Sequence, residues 1–325
     1  MKTSISVVIP TYNGNRYILK ALESVFAQTE QPKEIVVVDD RSQDDTPAII
    51  HRSAKSSPVP IHFYQLPTNS GGPSRPLNIG IRSAASPLIA ILEQDDTMAP
   101  LRLEAQRTAI ESFPDCDLAF GRYSVTGYPG DLADSELYNP QRQLELITRE
   151  DFSSLPPVLR IPSAIAFSTL IIKNYAISNS NFMFRKDLWA KARGFNPRVR
   201  AVADIDFLLK CAPFSNFAFV NTEVLVYQYH ELSLNRQNLS STFHEWDTVV
   251  NRHAVAHPEL LGDNWWGVYW TCRRMISHAF RTRQWKQGFS LCWYLLRTGA
   301  FWRHYRLRHQ IDTCESRTHV SNQPE

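Results

Sequence analysis

Three acidic side chains follow a short apolar run in the first third of the chain. The run at 88–92 is typical of a buried strand, and Glu93, Asp95 and Asp96 come directly after it. Carboxylates this close repel one another, and burying one of them is costly unless a positive charge compensates it. Hard divalent cations such as Mg²⁺ take oxygen ligands of this kind together with substrate phosphates. The stretch therefore predicts a divalent metal site at the end of a strand, and the competing interpretation is an acidic surface turn.

Polar side chains also follow two earlier runs of β-branched residues. The run at 5–9 leads to Tyr12, and the run at 34–38 leads to Asp39 and Asp40. Apolar residues at helical spacing lie between the runs, so strands alternate with helices and should pair in a mostly parallel sheet. Ligands of such sheets bind outside the carboxyl ends of the strands. Polar residues at three strand ends therefore predict one ligand site at that edge.

The motifs of two common nucleotide-binding classes are missing from the expected positions. A dinucleotide-binding enzyme would carry G-x-G-x-x-G after the first strand, where this chain has Tyr12-Asn-Gly-Asn. A P-loop enzyme would carry a lysine after a glycine-rich loop, and none follows Gly71 and Gly72. The acids instead indicate a nucleotide diphosphate held through Mg²⁺ or Mn²⁺. Asp39 or Asp40 would accept a hydrogen bond from the base, and Tyr12 would pack on its face.

Composition and cysteine usage favour a globular protein of a reducing compartment. Hydrophobic residues make up 43% of the 325 residues, which is enough for a sizeable core. The five cysteines are scattered and odd in number, so neither a disulfide framework nor a structural zinc site is expected. The sequence shows no signal peptide and no apolar stretch of membrane-spanning length. We therefore expect a cytoplasmic protein.

Basic residues are concentrated at the C-terminal end. Residues 264–325 hold ten basic residues against three acidic ones, whereas the rest of the chain holds 25 against 29. Apolar residues in this region recur at helical spacing, so 241–325 is predicted to be a helical, basic extension with a disordered tail. Its helices either pack on the rest of the protein or make a peripheral contact with an anionic membrane at its inner face. No nucleic-acid-binding module is recognisable, so no nucleic-acid partner is expected.

Four stretches occur in the order typical of one enzyme family. They are SVVIPTYN at 6–13, EIVVVDD at 34–40, the loop at 69–80 and LEQDD at 92–96. Together they resemble the motifs of the family-2 inverting glycosyltransferases. The resemblance implies a GT-A fold, which is an α/β fold with a Rossmann-like, mostly parallel sheet flanked by helices. It also implies a domain at 1–240, with a nucleotide-sugar half at about 1–125 and an acceptor half at about 126–240, before the helical extension.

The resemblance also assigns residues to the donor site. The nucleotide-binding residues that it implies are Pro10, Tyr12, Asp39, Asp40, Arg75, Asn78, Glu93 and Asp95. It implies a Mn²⁺ or Mg²⁺ ion held by Asp95, Asp96 and His230. Two positions depart from the family pattern, because Glu93 stands where an aspartate is common and Gln228 stands where an arginine is common.

The same resemblance places the catalytic base at Asp204. Transfer with inversion requires a carboxylate that takes the proton of the acceptor hydroxyl as it attacks the anomeric carbon. The family usually has Glu-Asp here, whereas this chain has Ala203 before the aspartate. Asp206 is the competing candidate, but at about 100° per residue the two side chains point to different sides of a helix. The structural alternative for Asp204 is an acid that interacts with the helix dipole.

The middle of the chain has fewer regular patterns. Five prolines within 128–162 predict a loop-rich insertion on the acceptor side, and 169–180 fits either a strand or a loop. The stretch 181–189 resembles the short strand and helix that precede the catalytic acid in the family.

These observations lead to one expected function and one alternative. The chain is expected to be an inverting glycosyltransferase that moves a sugar from a nucleotide-diphosphate sugar, UDP-linked by the resemblance, to a hydroxyl of a saccharide or lipid-linked acceptor. Single-sugar addition is expected because the Gln-x-x-Arg-Trp motif of processive synthases is missing. The alternative is a non-catalytic nucleotide-sugar binding protein of the same fold, which Glu93, Ala203 and Gln228 favour.

Overall fold

The computed structural model describes residues 2–127, 155–171, 174–230 and 239–261. Most of the predicted loop insertion lies outside the described residues, as do the basic helices and the tail predicted beyond 261. The described parts form one sheet with helices on both of its faces.

Nine strands form the sheet in the described part of the chain. They are β1 (Ile5–Thr11), β2 (Glu34–Asp39), β3 (Ile61–Gln65), β4 (Leu88–Ile91), β5 (Thr97–Met98), β6 (Cys116–Thr126), β7 (Val158–Ile161), β8 (Met183–Arg185) and β9 (Asn216–Gln228). Their order is β3-β2-β1-β4-β8-β6-β9-β5, and β7 also pairs with β9. The first four strands pair in parallel, whereas β8 is antiparallel to both of its neighbours. The predicted α/β fold with a mostly parallel sheet is confirmed.

Eight α-helices flank the sheet within the described ranges. They are α1 (Ile18–Phe26), α2 (Thr46–Ser56), α3 (Ser74–Ser83), α4 (Arg102–Ser112), α5 (Ser163–Leu170), α6 (Lys186–Lys191), α7 (Ala203–Cys211) and α8 (Leu239–Ala256). The strand and helix expected within 181–189 correspond to β8 and α6. None of the described helices has both the length and the apolar composition needed to cross a membrane.

Both faces of the sheet are buried, as β1 illustrates. Val7 and Ile9 share a buried cluster with Leu22 of α1, whereas Val8 shares the opposite cluster with Leu77 of α3. This two-sided burial explains why the strand runs are apolar at successive positions and do not alternate with polar residues. The polar residues that follow these runs therefore lie at the border of the core, at the carboxyl ends of neighbouring strands.

Two features of the middle of the chain differ from the sequence prediction. The strand β7 lies within the predicted loop insertion and pairs with β9. The helix α5 ends in the first two residues of the stretch 169–180, which fitted either a strand or a loop, and residues 174–178 of that stretch form a loop. Almost every residue of α5 is apolar or small, so its sequence has no polar face from which a helical period could be read.

The helix α8 extends the described body beyond the boundary predicted near 240. Glu245 on α8 accepts backbone hydrogen bonds from the turn before α7. Arg252 and His253, about two turns further along, contact Asp206 on α7. The first helix of the predicted extension is therefore packed on the preceding domain.

Candidate functional site

A cavity of about 360 Å³ opens at the carboxyl ends of β1, β2 and β4. Seven of the residues predicted for the site line it, namely Pro10, Tyr12, Asp40, Glu93, Asp95, Asp204 and His230. The strand ends supply the first five, the first turn of α7 supplies Asp204, and His230 follows β9. The polar strand ends therefore meet at one edge, as the sequence predicted.

Gln94 fixes the end of β1 at the cavity. Its Oε1 accepts hydrogen bonds from Thr11 Oγ1 at 2.6 Å and from the Tyr12 backbone N–H at 2.9 Å, and its Nε2 donates to the Tyr12 carbonyl at 3.0 Å. A Cβ atom on Gly14 would lie 2.3 Å from Gln94 Oε1, so a larger residue there would displace the Gln94 side chain. The Tyr12 side chain is left 43% exposed and presents a flat ring at the cavity.

The two aspartates at the end of β2 have different surroundings. Asp40 lines the cavity and accepts hydrogen bonds from the Ser70 backbone N–H and from Ser70 Oγ, each at 2.9 Å, while burial raises the pKa of Asp40. Asp39 is fully buried, and its oxygens accept hydrogen bonds from Ser42 and from Gln65 Nε2 at 2.8 Å. Successive strand residues face opposite sides, and Asp40 is the one of the pair that lines the cavity. Asp39 holds the turn after β2, and its contact with a nucleotide stays a prediction.

Two predicted residues of α3 lie outside the wall of this cavity in the described structure. Asn78 Nδ2 donates to the Phe195 carbonyl at 2.8 Å, and its Oδ1 accepts from the Phe195 N–H at 2.8 Å and from Trp189 Nε1 at 3.1 Å. These contacts make Asn78 a link between α3 and the chain before α7. Arg75 is exposed and lines a neighbouring cavity of about 290 Å³, which shares Asn69 with the main one. A nucleotide contact of Arg75 stays a prediction.

The three acids after β4 are crowded. Asp96 is buried behind the cavity wall, where its oxygens accept hydrogen bonds from the Gln228 backbone N–H at 2.9 Å and from Ser178 Oγ at 3.4 Å. Burial and the nearby charge of Asp95 raise the pKa of Asp96 to about 8. Burial, followed by the charges of Asp95 and Asp96, raises the pKa of Glu93 well above its ordinary value. The cluster would thus be stabilised by a positive ligand.

Asp95 and His230 form the pair best placed to hold a divalent cation. His230 Nε2 lies 2.7 Å from Asp95 Oδ2, and the imidazole stacks on Tyr17 with 5.0 Å between ring centroids. Within the described ranges, no three His, Cys, Asp or Glu side chains are grouped to hold a metal. Asp96 accepts a hydrogen bond from the Gln228 backbone N–H, and its role as a metal ligand stays a prediction. Because Mg²⁺ commonly takes one or two carboxylates plus substrate phosphates, the pair fits a cation that binds together with a diphosphate.

Asp204 is a buried carboxylate that reaches the cavity. Its Oδ1 accepts the Ile205 N–H at 2.9 Å, and its Oδ2 accepts a hydrogen bond from Asn174 Nδ2 at 2.6 Å. Burial raises the pKa of Asp204 to about 6, against the opposing effect of these two hydrogen bonds. Such a carboxylate is ionised at neutral pH and still basic enough to take a proton, which suits a general base.

Asp206, the competing candidate, is fully buried on another side of α7. Its Oδ1 accepts a hydrogen bond from Arg252 Nη2 and lies 2.9 Å from His253 Nε2. The prediction that the two aspartates of α7 point to different sides is confirmed. Asp206 fastens α8 to α7, and Asp204 is the one of the pair that lines the cavity.

Several residues that shape the site were not predicted from the sequence. Asn174 contacts Asp204, Asn179 Nδ2 donates to Glu93 Oε1 at 3.1 Å, and the Arg200 side chain lies at the cavity rim against Gly71. A signal was present for the first two, since 174–181 is rich in Asn and Ser, which form side-chain-closed turns. Arg200 carried no local signal.

Known proteins resemble this chain in sequence. The family model described as glycosyl transferase family 2 matches residues 6–188, which end before Asp204 and His230. The poly(ribitol-phosphate) beta-N-acetylglucosaminyltransferase TarS of Staphylococcus aureus is 38% identical over 94 residues, which are 28% of this chain and 16% of TarS. The glycosyltransferase GlyG of Streptococcus pneumoniae is 30% identical over 138 residues, which are 42% of this chain and 44% of GlyG. The chain therefore matches less than half the length of either relative.

Solved structures of S. aureus TarS share the fold. The crystal structure of TarS residues 1–349 in complex with UDP-GlcNAc aligns with a TM-score of 0.62 and 18% identity, covering 91% of this chain and 92% of that one. The complex of the same segment with UDP aligns with a TM-score of 0.59 and 20% identity, covering 80% and 70%. At 18–20% identity, these alignments show a shared fold only.

Proposed function

The chain belongs to glycosyl transferase family 2, and from this premise we propose that it transfers a sugar from a nucleotide-diphosphate sugar to an acceptor hydroxyl with inversion. The observation that carries the proposal is the position of Asp204, a buried carboxylate at the same cavity as Tyr12, Asp40 and Asp95. A candidate base and a candidate nucleotide-binding edge thus share one space of about 360 Å³, a volume within the usual range of ligand pockets.

The donor is proposed to be UDP-linked. The TarS structures contain UDP and UDP-GlcNAc in a fold that this chain shares. In this chain the exposed Tyr12 ring offers a face for the base, and Asp40, oriented by Ser70, offers carboxylate oxygens to a base N–H. Arg200 at the cavity rim carries a positive charge suited to a diphosphate.

The divalent cation, Mn²⁺ or Mg²⁺, is proposed to be held by Asp95 and His230 together with the donor diphosphate. When bound, such a cation offsets the negative charge that gathers on the diphosphate as the sugar leaves. The side chains are already adjacent, with 2.7 Å between His230 Nε2 and Asp95 Oδ2. Asp96 and Glu93 lie next to the pair, and a bound cation would favour their ionised forms over the protonated forms that burial favours.

Asp204 acts as the general base in the proposed transfer step. The acceptor hydroxyl oxygen forms a bond to the anomeric carbon while the bond from that carbon to the diphosphate oxygen breaks. The hydroxyl proton passes to the Asp204 carboxylate, and the bonding electrons leave with the nucleoside diphosphate. A single displacement of this kind inverts the anomeric configuration.

The acceptor is proposed to be a saccharide or a lipid-linked hydroxyl that receives one sugar at a time. The missing Gln-x-x-Arg-Trp motif supports single addition. The basic residues of 264–325 support a peripheral contact with anionic lipid, where a lipid-linked acceptor would be found.

A donor panel tests the proposal. UDP release from UDP-N-acetylglucosamine, UDP-glucose and UDP-galactose is measured with Mn²⁺ or Mg²⁺ and with EDTA, because water can replace the acceptor. We expect cation-dependent release from at least one donor and its loss in Asp204→Asn. Donor binding without release would favour the alternative, a nucleotide-sugar binding protein, which Ala203 in place of the usual glutamate supports.

A further inference from the structure

We propose that Asn174 positions Asp204 for proton abstraction and holds its carboxyl group in the ionised form. This inference rests on the proposed function, because it concerns the base of the same site. Asn174 lies between α5 and β8, and its Nδ2 donates a hydrogen bond to Asp204 Oδ2 at 2.6 Å. Asp204 in turn lines the cavity. Asn174 acts through Asp204 and is therefore a positioning residue.

The orientation of the Asn174 amide is fixed by its own turn. Its Oδ1 accepts the backbone N–H groups of Ala176 and Ile177, each at 3.1 Å. A flipped amide would direct its NH₂ group at these two N–H donors, which cannot accept a hydrogen bond. The Nδ2 group must then face the other way, where it gives one hydrogen to the Ile177 carbonyl at 3.4 Å and one to Asp204. The contact with the base is therefore donated by Asn174.

This turn connects the candidate base with the acid cluster. Ile177 has a φ of 65°, in the left-handed region that β-branched residues rarely occupy. Such a conformation persists where the surrounding structure enforces it, and the two hydrogen bonds to Asn174 Oδ1 do so here. Ile177 lines the cavity, and the next residue, Ser178, donates to Asp96. Asn174 thus closes a turn that reaches the base on one side and the acids on the other.

Other charged groups face Asp204 from neighbouring elements. Glu245 of α8 and Glu93 after β4 are acidic neighbours of Asp204, and Arg200 stands at the rim of the same cavity. Burial raises the pKa of Asp204 most, Glu245 adds to this effect, and the hydrogen bond from Asn174 opposes it. Removing that donor should raise the pKa further, so the base would stay protonated up to a higher pH.

Asn174→Asp is the sharpest test, because it keeps the oxygen that closes the turn and replaces only the donor group. UDP release from the donor that the wild-type protein hydrolyses is followed as a function of pH. The acid limb of the profile should move upward by about one pH unit or more, since the base loses a charge-assisted hydrogen bond and gains an acidic neighbour. Turnover should recover at the alkaline end of the profile. UDP affinity, measured by calorimetry, should stay unchanged.

Two further variants control the experiment. Asn196→Asp makes the same charge change at another turn, where Asn196 Oδ1 accepts the Arg198 N–H at 3.1 Å, and should leave the acid limb in place. Asn174→Ser keeps an oxygen for the turn, but its side chain is too short to reach Asp204, so the limb should again move upward. An unmoved limb in both Asn174 variants, or loss of UDP binding in both, would reduce Asn174 to a folding role and overturn the inference.

Asp204→Asn separates this inference from the proposed function. Turnover that survives in Asp204→Asn would contradict the assignment of the base itself. Loss of turnover in Asp204→Asn, combined with an unmoved acid limb in the Asn174 variants, would contradict only the role of Asn174.

Discussion

Glu245 Oε2 accepts the backbone N–H of Ala201 at 2.6 Å, which joins α8 to the turn that leads into α7. The same carboxylate accepts the backbone N–H groups of Arg200 at 2.9 Å and Val202 at 3.2 Å. The beginning of a helix has N–H groups without intrahelical partners, and its dipole favours a nearby negative charge. The position of α8 therefore fixes where α7 begins, and with it the position of Asp204.

Glu245→Gln should lower the free energy of unfolding by about 1–3 kcal/mol, because charge-assisted hydrogen bonds to the turn become neutral or are lost. Urea unfolding measures this difference. Glu259→Gln is the matched control, since Glu259 is exposed and pairs with His257 at 3.2 Å, a surface contact that contributes little. Equal unfolding midpoints for the two variants would show that Glu245 does not hold α7 in this way.

The ligand-binding edge could be predicted from the sequence because its signal is local. An apolar run followed at once by acids marks both the end of a strand and the place where polar groups leave the core. The choice between adjacent acids is not local. Asp39 and Asp40 have the same side chain. Ser42, in the turn after β2, and Gln65 of β3 donate hydrogen bonds to Asp39, whereas Asp40 lines the cavity.

Contacts between distant segments could not be predicted. Asn174 Nδ2 reaches Asp204 across 30 residues, and the Gln228 backbone N–H reaches Asp96 across 132 residues. The partner of such a polar group depends on the path of the whole chain, which the residues beside it do not specify. The same limit applies to Asp96, whose charge is visible in the sequence and whose backbone partner is not.

Asp95→Ala and His230→Ala should each weaken the binding of UDP in the presence of Mn²⁺ by ~10-fold or more, if the two side chains hold the cation. Isothermal titration calorimetry measures the affinities. With EDTA present, the two variants should bind UDP as weakly as the wild-type protein does. Asp45→Ala is the control, since Asp45 is an exposed acid before α2. Affinities that do not change in either variant would contradict the proposed cation site.

The raised pKa of Asp204 predicts an acid limit for turnover. The base works only when it is ionised, and burial raises its pKa to about 6, so activity should be full above this pH and fall ~10-fold per unit below it. The pH dependence of UDP release measures the limit. A limb near the ordinary aspartate value of 3.8 would show that Asp204 is not buried when it works.

The basic residues of 264–325 predict binding to anionic lipid. The 325-residue chain should sediment with vesicles that contain phosphatidylserine and much less with vesicles of phosphatidylcholine alone. Added salt should release part of the bound protein, because screening weakens the attraction between charges at a surface. Equal, negligible binding to both kinds of vesicle would leave only a packing role for this region.

Asp204→Asn should lower turnover and Asp206→Asn should lower stability, although the two aspartates lie two residues apart in α7. Asp204→Asn keeps the shape of the side chain but cannot take a proton, so turnover should fall by ~10²–10⁴-fold while UDP binding and the unfolding midpoint stay near their original values. Asp206→Asn leaves Arg252 and His253 without their buried carboxylate. Losing one partner of a buried ion pair typically costs roughly 3–5 kcal/mol, and the lower end is expected here because the Arg252 side chain is 46% exposed.

The effects of the two variants are distinguished by measuring kcat and urea unfolding on the same preparations. At low temperature, where the folded fraction is high, Asp206→Asn should retain turnover per folded molecule, whereas Asp204→Asn should not. Loss of turnover in folded Asp206→Asn together with normal turnover in Asp204→Asn would move the base by two residues. Normal turnover in both variants would remove α7 from the chemistry altogether.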